Sequence, residues 1–407
     1  MAAYEVLSGK RVVLGVSASI AAYKAVSVAS ALTQAGALVD VVMTPEAQEL
    51  VRPLSFQAIT HRPVLSEMFH LLAETDIGHV TLGHRADVVV VAPATAHTLA
   101  KLSLGLADDL ITTTVLATRA PLVLAPAMDA GMYDNSAVRE NVARLRERGA
   151  VVVEPEWGRM ASGLVGQGRL AEAPTIVETL RVVLGRGGDL ADWRVVVTAG
   201  GTREAIDPVR FVSNHSSGKM GYAVAVAARD RGAEVVLISA PSALAPPLGV
   251  ESRPVVNAEE MHRAVAKAID AADLLVMAAA VADYRPRQAA DRKIKKHGGE
   301  LLLRLVPTTD ILADTAGMAN DCLIRVGFAA ETDELIEHAR GKLERKRLDL
   351  IVANDISELE SGFGSDTNRV VLLDRTGGRR DLPLLPKPEV AHHILDEAIR
   401  IQAERIG

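Results

Sequence analysis

Residues 198–222 read Thr-Ala-Gly-Gly-Thr-Arg-Glu-Ala-Ile-Asp-Pro-Val-Arg-Phe-Val-Ser-Asn-His-Ser-Ser-Gly-Lys-Met-Gly-Tyr. Arg194 to Val197 ahead of it has the apolar character of a buried strand, and the small-residue run Met220 to Arg229 behind it predicts a helix. Between them stand the glycine turn Gly200-Gly201, two arginines and the run Asn214 to Lys219. The first turn of a helix leaves backbone amides unpaired and carries the positive end of the dipole, so this layout attracts phosphate. It is not a P-loop: Ser213 stands where GxxxxGK[ST] needs its first glycine, and Met220 follows Lys219 where a metal-binding hydroxyl belongs. Nor is it GxGxxG, which argues against a nicotinamide-dependent oxidoreductase.

Outward from that stretch the same alternation recurs. Val12 to Val16, Val39 to Met43, Val88 to Ala92 and Leu122 to Ala125 read as strands, with a helix from Ile20 to Gln34 after the first. Strands alternating with helices predict an α/β fold: two doubly wound, Rossmann-like three-layer domains with mostly parallel sheets. Leu184 to Asp189, rich in glycine and following a predicted helix over Pro174 to Val183, is the natural linker and divides the chain into domains 1–187 and 188–407. In open α/β sheets ligands gather beyond the carboxyl ends of the strands, where both halves place their unusual residues.

The 407 residues are 49% apolar and 24% charged, with a net charge of −6. That balance gives no basic field for nucleic acid or an anionic membrane, so phosphate binding must be local. Cys322 is the single cysteine, which excludes internal disulfides and suits a reducing cytoplasm. Lys10 and Arg11 precede a strand rather than a signal-peptide core, and the apolar runs fall short of the roughly 20 residues that span a bilayer.

The turn Gly15-Val16-Ser17-Ala18-Ser19-Ile20 follows a strand and opens a helix, so its amides and the Ser17 and Ser19 hydroxyls suit a second phosphate. Further motifs follow in the second half: Ala279 to Tyr284, Lys293-Ile294-Lys295-Lys296, Gly327 to Thr332 and Ala353-Asn354-Asp355. Together with residues 198–222 they resemble the bacterial phosphopantothenoylcysteine decarboxylase/phosphopantothenate-cysteine ligase family of coenzyme A biosynthesis. The first half resembles the flavin-containing cysteine decarboxylases, so the likeness covers nearly the whole chain.

For the first half the resemblance implies FMN, contacted by Gly15, Ser17, Ser19, Thr44, Ala94, Thr95 and Ala96, with Ala107 to Leu110 near the ribityl chain. His79 matches the active-site histidine that helps remove hydrogen from the substrate's cysteine moiety. Two positions depart from the family pattern. The usual Pro-Ala-Met-Asn is Pro126-Ala127-Met128-Asp129 here, and Ser162 stands in the substrate-covering flap where a proton-donating cysteine is usual. An ionised Asp129 would repel a substrate carboxylate, and a serine is a far weaker acid than a thiol. The retained flap glycines, Gly158, Gly163, Gly166 and Gly168, favour a variant decarboxylase over the alternative, a flavin-binding scaffold or regulatory domain.

For the second half the resemblance implies CTP activation of the 4′-phosphopantothenate carboxylate, then attack by L-cysteine to give 4′-phosphopantothenoylcysteine. Asn214 matches the residue that binds the acyl-cytidylate, Arg210 the arginine assisting its turnover, and Lys293 the triphosphate contact. Ala279, Asp283, Thr309, Asp310, Ile311, Leu312, Phe328, Lys342 and Lys346 complete the expected nucleotide site. Lys342 and Lys346, four apart on a helix predicted over Asp333 to Arg347, can reach one ligand. Mg²⁺ is expected with CTP, without a dedicated ligand cage. The family also implies a homo-oligomer, a dodecamer built from flavin-domain trimers and ligase-domain dimers.

Overall fold

The computed structural model describes residues 6–67, 78–296, 298, 300–318, 322–331, 335–355 and 364–406. The chain divides into two compact units, Met1–Gly185 and Arg186–Gly407.

In the first unit six strands lie side by side in the order Val64–Leu65, Leu38–Met43, Arg11–Val16, Val88–Ala94, Leu122–Pro126 and Val151–Val152, all parallel. Val88–Ala94 is buried along its whole length, as expected of a strand covered on both faces. Helices Ala22–Gln34 and Ala173–Gly185 put Val28, Leu32, Ile176 and Leu180 on one face of the sheet. On the other, helices Ala96–Leu104, Leu110–Ala117 and Ser136–Glu147 contribute Leu99, Ile111 and Leu145. The strand order reverses between Arg11–Val16 and Val88–Ala94, which opens a crevice at their carboxyl ends. The first helix starts at Ala22 rather than Ile20, because Ser19 Oγ accepts from the Ala21 amide at 3.2 Å and holds residues 18–21 in a turn.

The second unit repeats the plan with eight strands: Glu251–Pro254, Glu234–Ser239, Arg194–Ala199, Leu274–Met277, Ile324–Glu331, Leu350–Asp355, Val370–Asp374 and Arg379–Asp381. The first six run parallel; Val370–Asp374 pairs antiparallel with Leu350–Asp355, and Arg379–Asp381 antiparallel with Val370–Asp374. Helices Lys219–Asp230 and Lys387–Ile406 cover one face, Ala258–Ala268 and Leu335–Arg345 the other. Its reversal lies between Arg194–Ala199 and Leu274–Met277. Lys293–Lys296 forms no strand.

Close packing explains one glycine in the deciding stretch. A Cβ at Gly221 would stand 2.6 Å from the Thr198 carbonyl oxygen and 2.7 Å from Ala199 Cβ, so only glycine lets the helix Lys219–Asp230 lie this near its strand. Gly221→Ala should therefore lower stability by about 1–3 kcal/mol, read as a lower urea midpoint at unchanged slope.

Candidate active sites

In the first unit the crevice widens into a cavity of about 1140 Å³. Ser17, 1% exposed, ties its two sides together: its Oγ donates to the Pro93 carbonyl at 2.8 Å and accepts from the Thr95 amide at 3.1 Å. Thr95 in turn caps the helix Ala96–Leu104 by accepting from the Thr98 amide, and Thr44 caps the turn Pro45–Glu49 in the same way. Ser17, Ser19, Thr44, Thr95 and Ala96 all line the cavity.

Gly15 and Ala94, expected as cofactor contacts, do not line it; both are buried within strands. A Cβ at Gly15 would meet Ile111 Cγ2 at 3.1 Å, so this glycine makes room for the helix Leu110–Ala117. His79 falls on the helix Gly78–Arg85, and its side chain lies outside the described residues. Lys101, missed by the sequence reading, also faces the cavity, beside Asp108 and Asp109 of the run expected near the ribityl chain. Lys101 Nζ lies 2.8 Å from Asp108 and 3.0 Å from Asp109. Burial works to lower the Lys101 pKa, yet the two carboxylates outweigh it and hold the ammonium above its ordinary value.

The two unusual positions meet. Ser162 sits in the turn of the hairpin Glu156–Arg159/Val165–Arg169, and its Oγ donates to Asp129 Oδ2 at 2.5 Å. Asp129 Oδ1 accepts from the Gly131 amide at 3.0 Å. The Ser162 hydroxyl first, and the Gly131 amide second, hold the Asp129 carboxyl below its ordinary range despite some desolvation. The stabilisation from that contact is therefore complete above the ordinary aspartate value of about 3.9 and is lost as pH falls through the lowered one. The sequence analysis treats Ser162 and Asp129 as separate groups, and the structure bonds them to each other. Near neutrality they are a hydroxyl and a carboxylate bound to each other. The hairpin closes on the cavity floor through the Met128 amide, which donates to the Gly168 carbonyl at 3.0 Å, and a Cβ at Gly168 would stand 2.3 Å from the Met128 carbonyl oxygen.

In the second unit a chain of hydrogen bonds sews the strand ends together. The Ala280 amide donates to Gly200 and the Thr202 amide to the Ala280 carbonyl. Thr202 Oγ1 accepts from the Ala282 amide at 2.9 Å, and Thr308 Oγ1 donates to the Ala282 carbonyl at 2.6 Å. Beside this seam lies a pocket of about 170 Å³ whose walls include Ala279, Asp283, Thr309, Asp310, Ile311, Leu312, Phe328, Lys342 and Lys346. Lys342 Nζ donates to the Phe328 carbonyl at 2.6 Å, and Lys346 Nζ lies 3.0 Å from Asp310 Oδ2. Burial acts to raise the Asp310 pKa. The Lys346 bond, the Ala313 amide and the charges of both lysines more than offset it and keep the carboxyl below its usual range. Asn214 reaches this region by donating Nδ2 to the Val281 carbonyl at 3.1 Å, and Val281 is itself a wall of the pocket.

Two cationic side chains, Lys293 and Arg210, stand elsewhere than expected, and a third, Lys219, is engaged outside the pocket. Lys293 is exposed and outside the pocket. Arg210, expected to grip an oxyanion, gives Nε and Nη2 to Asp207 Oδ2 at 3.1 and 2.5 Å and Nη2 also to the Ile294 carbonyl at 2.9 Å. Lys219 pairs with Asp366 at 2.7 Å and the Gly364 carbonyl at 2.8 Å. The organising residue missed by sequence reasoning is Asp207, buried at 3% exposure. It accepts from the Val209, Arg210 and Ile294 amides as well as from the Arg210 guanidinium, and that guanidinium above all depresses its pKa far below the ordinary value. Asp207-Pro208 is the signal that could have found it, since aspartate ahead of proline starts turns by binding amides two and three residues on. Among the described residues no cluster of three or more His, Cys, Asp or Glu could hold a metal ion, and no helix is long and apolar enough to cross a membrane.

Known proteins share both units. The Flavoprotein family matches residues 2–185, and the DNA/pantothenate metabolism flavoprotein C-terminal domain matches residues 190–401. The coenzyme A biosynthesis bifunctional protein CoaBC of Bacillus subtilis is 45% identical over 394 residues, covering 96% of this chain and 97% of that protein. Its namesake in Escherichia coli K12 is 43% identical over 396 residues, covering 97% of each. The crystal structure of the C-terminal domain of a CoaBC protein matches 53% of this chain and 98% of its own at 41% identity, with a TM-score of 0.46. The chain belongs to the family of coenzyme A biosynthesis bifunctional proteins, a flavoprotein unit followed by a pantothenate-metabolism unit.

Proposed function

We propose that domain 188–407 joins L-cysteine to 4′-phosphopantothenate at the expense of CTP, and that domain 1–187 decarboxylates the resulting 4′-phosphopantothenoylcysteine to 4′-phosphopantetheine. The observation that carries this reading is the convergence of Asp283, Asp310, Phe328, Lys342 and Lys346 on one pocket at the carboxyl edge of the second sheet.

In ligation, a carboxylate oxygen of 4′-phosphopantothenate attacks the α-phosphorus of CTP and pyrophosphate leaves. The cysteine amine then attacks the acyl carbon, loses a proton, and CMP departs with the former carboxylate oxygen. The pocket is smaller than the roughly 300–1,000 Å³ of a typical ligand cleft, so it holds part of the nucleotide and leaves the rest to extend along the seam toward Asn214. Lys342 and Lys346 supply the positive charge that the departing pyrophosphate needs. Asn214, anchored by one amide proton at Val281, has a second for the acyl carbonyl. Arg210 acts at one remove, by fixing the loop that carries Asn214 and the segment that carries Lys293. Mg²⁺ would enter with the triphosphate, and Asp283 and Asp310 fit the one or two carboxylates such an ion takes from protein.

The first cavity fits a flavin: its walls combine small residues at Thr95 and Ala96 with the Ser17, Ser19 and Thr44 hydroxyls, and the Gly168 contact leaves no space for a side chain at its floor. FMN, when bound, supplies the electron acceptance that makes loss of carbon dioxide feasible. The chain's own residues orient the substrate and exclude water beneath the hairpin. Homo-oligomeric assembly in the cytoplasm fits the same reading. With CTP, cysteine and 4′-phosphopantothenate, the purified flavin-loaded protein should release pyrophosphate and carbon dioxide in equal amounts. Pyrophosphate without carbon dioxide would reduce the first domain to a scaffold, and neither product would refute the proposal.

The Asp129–Ser162 pair yields a test of its own. Ser162→Ala strips the carboxylate of its hydroxyl partner and leaves a bare negative charge facing the substrate carboxylate. Its KM for 4′-phosphopantothenoylcysteine should rise about tenfold, and adding Asp129→Asn should recover most of that loss, since contacting residues couple. Effects that multiply independently in the double variant would show that the two side chains do not act as a unit.

A further inference from the structure

The walls of the nucleotide pocket are joined a second time from beneath, by a buried arginine. Arg325 lies on the strand Ile324–Glu331, paired with Leu275, and is only 5% exposed. Its Nη2 donates to the Leu312 carbonyl, and its Nη1 donates to the carbonyls of Lys346 at 3.0 Å and Arg347 at 3.2 Å. Leu312 belongs to the wall formed by residues 308–312; Lys346 follows directly on the helix Leu335–Arg345. The last carbonyls of a helix have no intrahelical donor and carry the negative end of the dipole, so a cationic donor is well matched to them. Here the chain also reverses, with Arg347 at a φ of 50°, and one guanidinium caps that reversal while holding the opposite wall. Asp349, 3% exposed, lies beside it: its Oδ2 accepts from the Arg325 backbone amide at 2.9 Å, and its Oδ1 pairs with Arg375 and Arg405.

On the solvent side the same two walls meet at the Lys346–Asp310 ion pair. The two ties differ in their exposure to ligand. A phosphate entering the pocket competes for the Lys346 ammonium, and an accompanying cation competes for Asp310, so the outer tie opens when a nucleotide binds. The inner tie is out of reach of either. We propose that Arg325 is a positioning residue: it keeps residues 308–312 at a fixed spacing from Lys342 and Lys346 while the nucleotide draws Lys346 away from Asp310. The proposal rests on the nucleotide reading of this pocket and adds a residue outside its lining. In the sequence Leu323-Ile324-Arg325-Val326, the arginine reads only as a charge interrupting a buried strand.

The test uses the full-length protein and the rate of pyrophosphate release, with CTP and cysteine varied separately. Arg325→Met should raise the KM for CTP about tenfold and Arg325→Lys about threefold, with kcat and the KM for cysteine within about twofold of wild type in both. A methionine cannot donate to the three carbonyls, whereas a lysine can serve some of them. An unchanged KM for CTP, or changes of equal size in both KM values and kcat, would overturn the proposal, because loosening of the whole unit would not single out the nucleotide. Should Arg325→Met fail to fold, Arg325→Lys decides alone: a selective threefold rise supports the role, and a uniform or absent change overturns it. Lys346→Ala, measured alongside, separates the two levels. If it leaves the KM for CTP unchanged, the nucleotide reading of the pocket fails; if it raises that KM while the Arg325 variants do not, only the role of Arg325 fails.

Discussion

Lys346→Ala should raise the KM for CTP in ligation about ten- to a hundredfold, with the KM for cysteine close to that of the wild type. A hydrogen bond to a charged group is worth about 1.5–3 kcal/mol, and every 1.4 kcal/mol is a factor of ten. Two effects act in the same direction. The substitution removes a cation from the pocket, and it strips Asp310 of the partner that lies 3.0 Å away, leaving an unopposed carboxylate beside the expected phosphates. Lys342, engaged with the Phe328 carbonyl at 2.6 Å, stays in place to hold part of the charge, so the effect should deepen when both lysines are replaced. Initial rates of pyrophosphate release at varied CTP read this directly. A KM unmoved by the double replacement would show that phosphates bind elsewhere.

Gly168→Ala should abolish most decarboxylation, lowering carbon dioxide release about a hundredfold, while pyrophosphate release stays within about twofold of wild type. The added methyl would stand 2.3 Å from the Met128 carbonyl oxygen and 3.4 Å from the Ala130 amide nitrogen. Both are backbone atoms, so no side chain can swing aside to relieve the overlap. Overpacking of this kind costs about 1–3 kcal/mol, here spent on lifting the hairpin from the segment that carries Asp129. Flavin content of the purified variant and carbon dioxide release from 4′-phosphopantothenoylcysteine together read the result. Full decarboxylation would mean that the close seat of the hairpin on Met128 is dispensable.

The sequence made much of this architecture legible, for reasons that can be located. Buried parallel strands read as unbroken apolar runs, so Val88 to Ala92 and Arg194 to Val197 stood out, within the strands Val88–Ala94 and Arg194–Ala199, and each was followed by its turn and helix. The residues expected at a nucleotide site lie in short local motifs at strand ends and in an i,i+4 lysine pair, whose directions follow from helix and strand geometry, and the structure gathers them around one pocket. What escaped was set by distant partners. Whether Lys293 faces the pocket depends on where Asp207 holds the Ile294 amide, 87 residues away in the chain, and no local pattern encodes that bond. Arg210 looked like an oxyanion clamp because its type suits one, yet its fork was taken by the carboxylate three residues earlier. Gly15 sat in a phosphate-type turn motif but serves the packing of Ile111. Asp129 and Ser162 were each visible as departures from the family pattern. Their mutual bond across 33 residues was not, and it changes how both are understood.

In the proposed ligation, the carboxylate of 4′-phosphopantothenate is activated on the α-phosphorus of a nucleotide held by the second unit. Ligation with 4′-phosphopantothenate carrying ¹⁸O in its carboxylate, followed by mass analysis of the nucleotide and phosphate products, tests it most directly. CMP should carry one ¹⁸O and pyrophosphate none. Label appearing in inorganic phosphate or pyrophosphate, or CMP released without label, would contradict it.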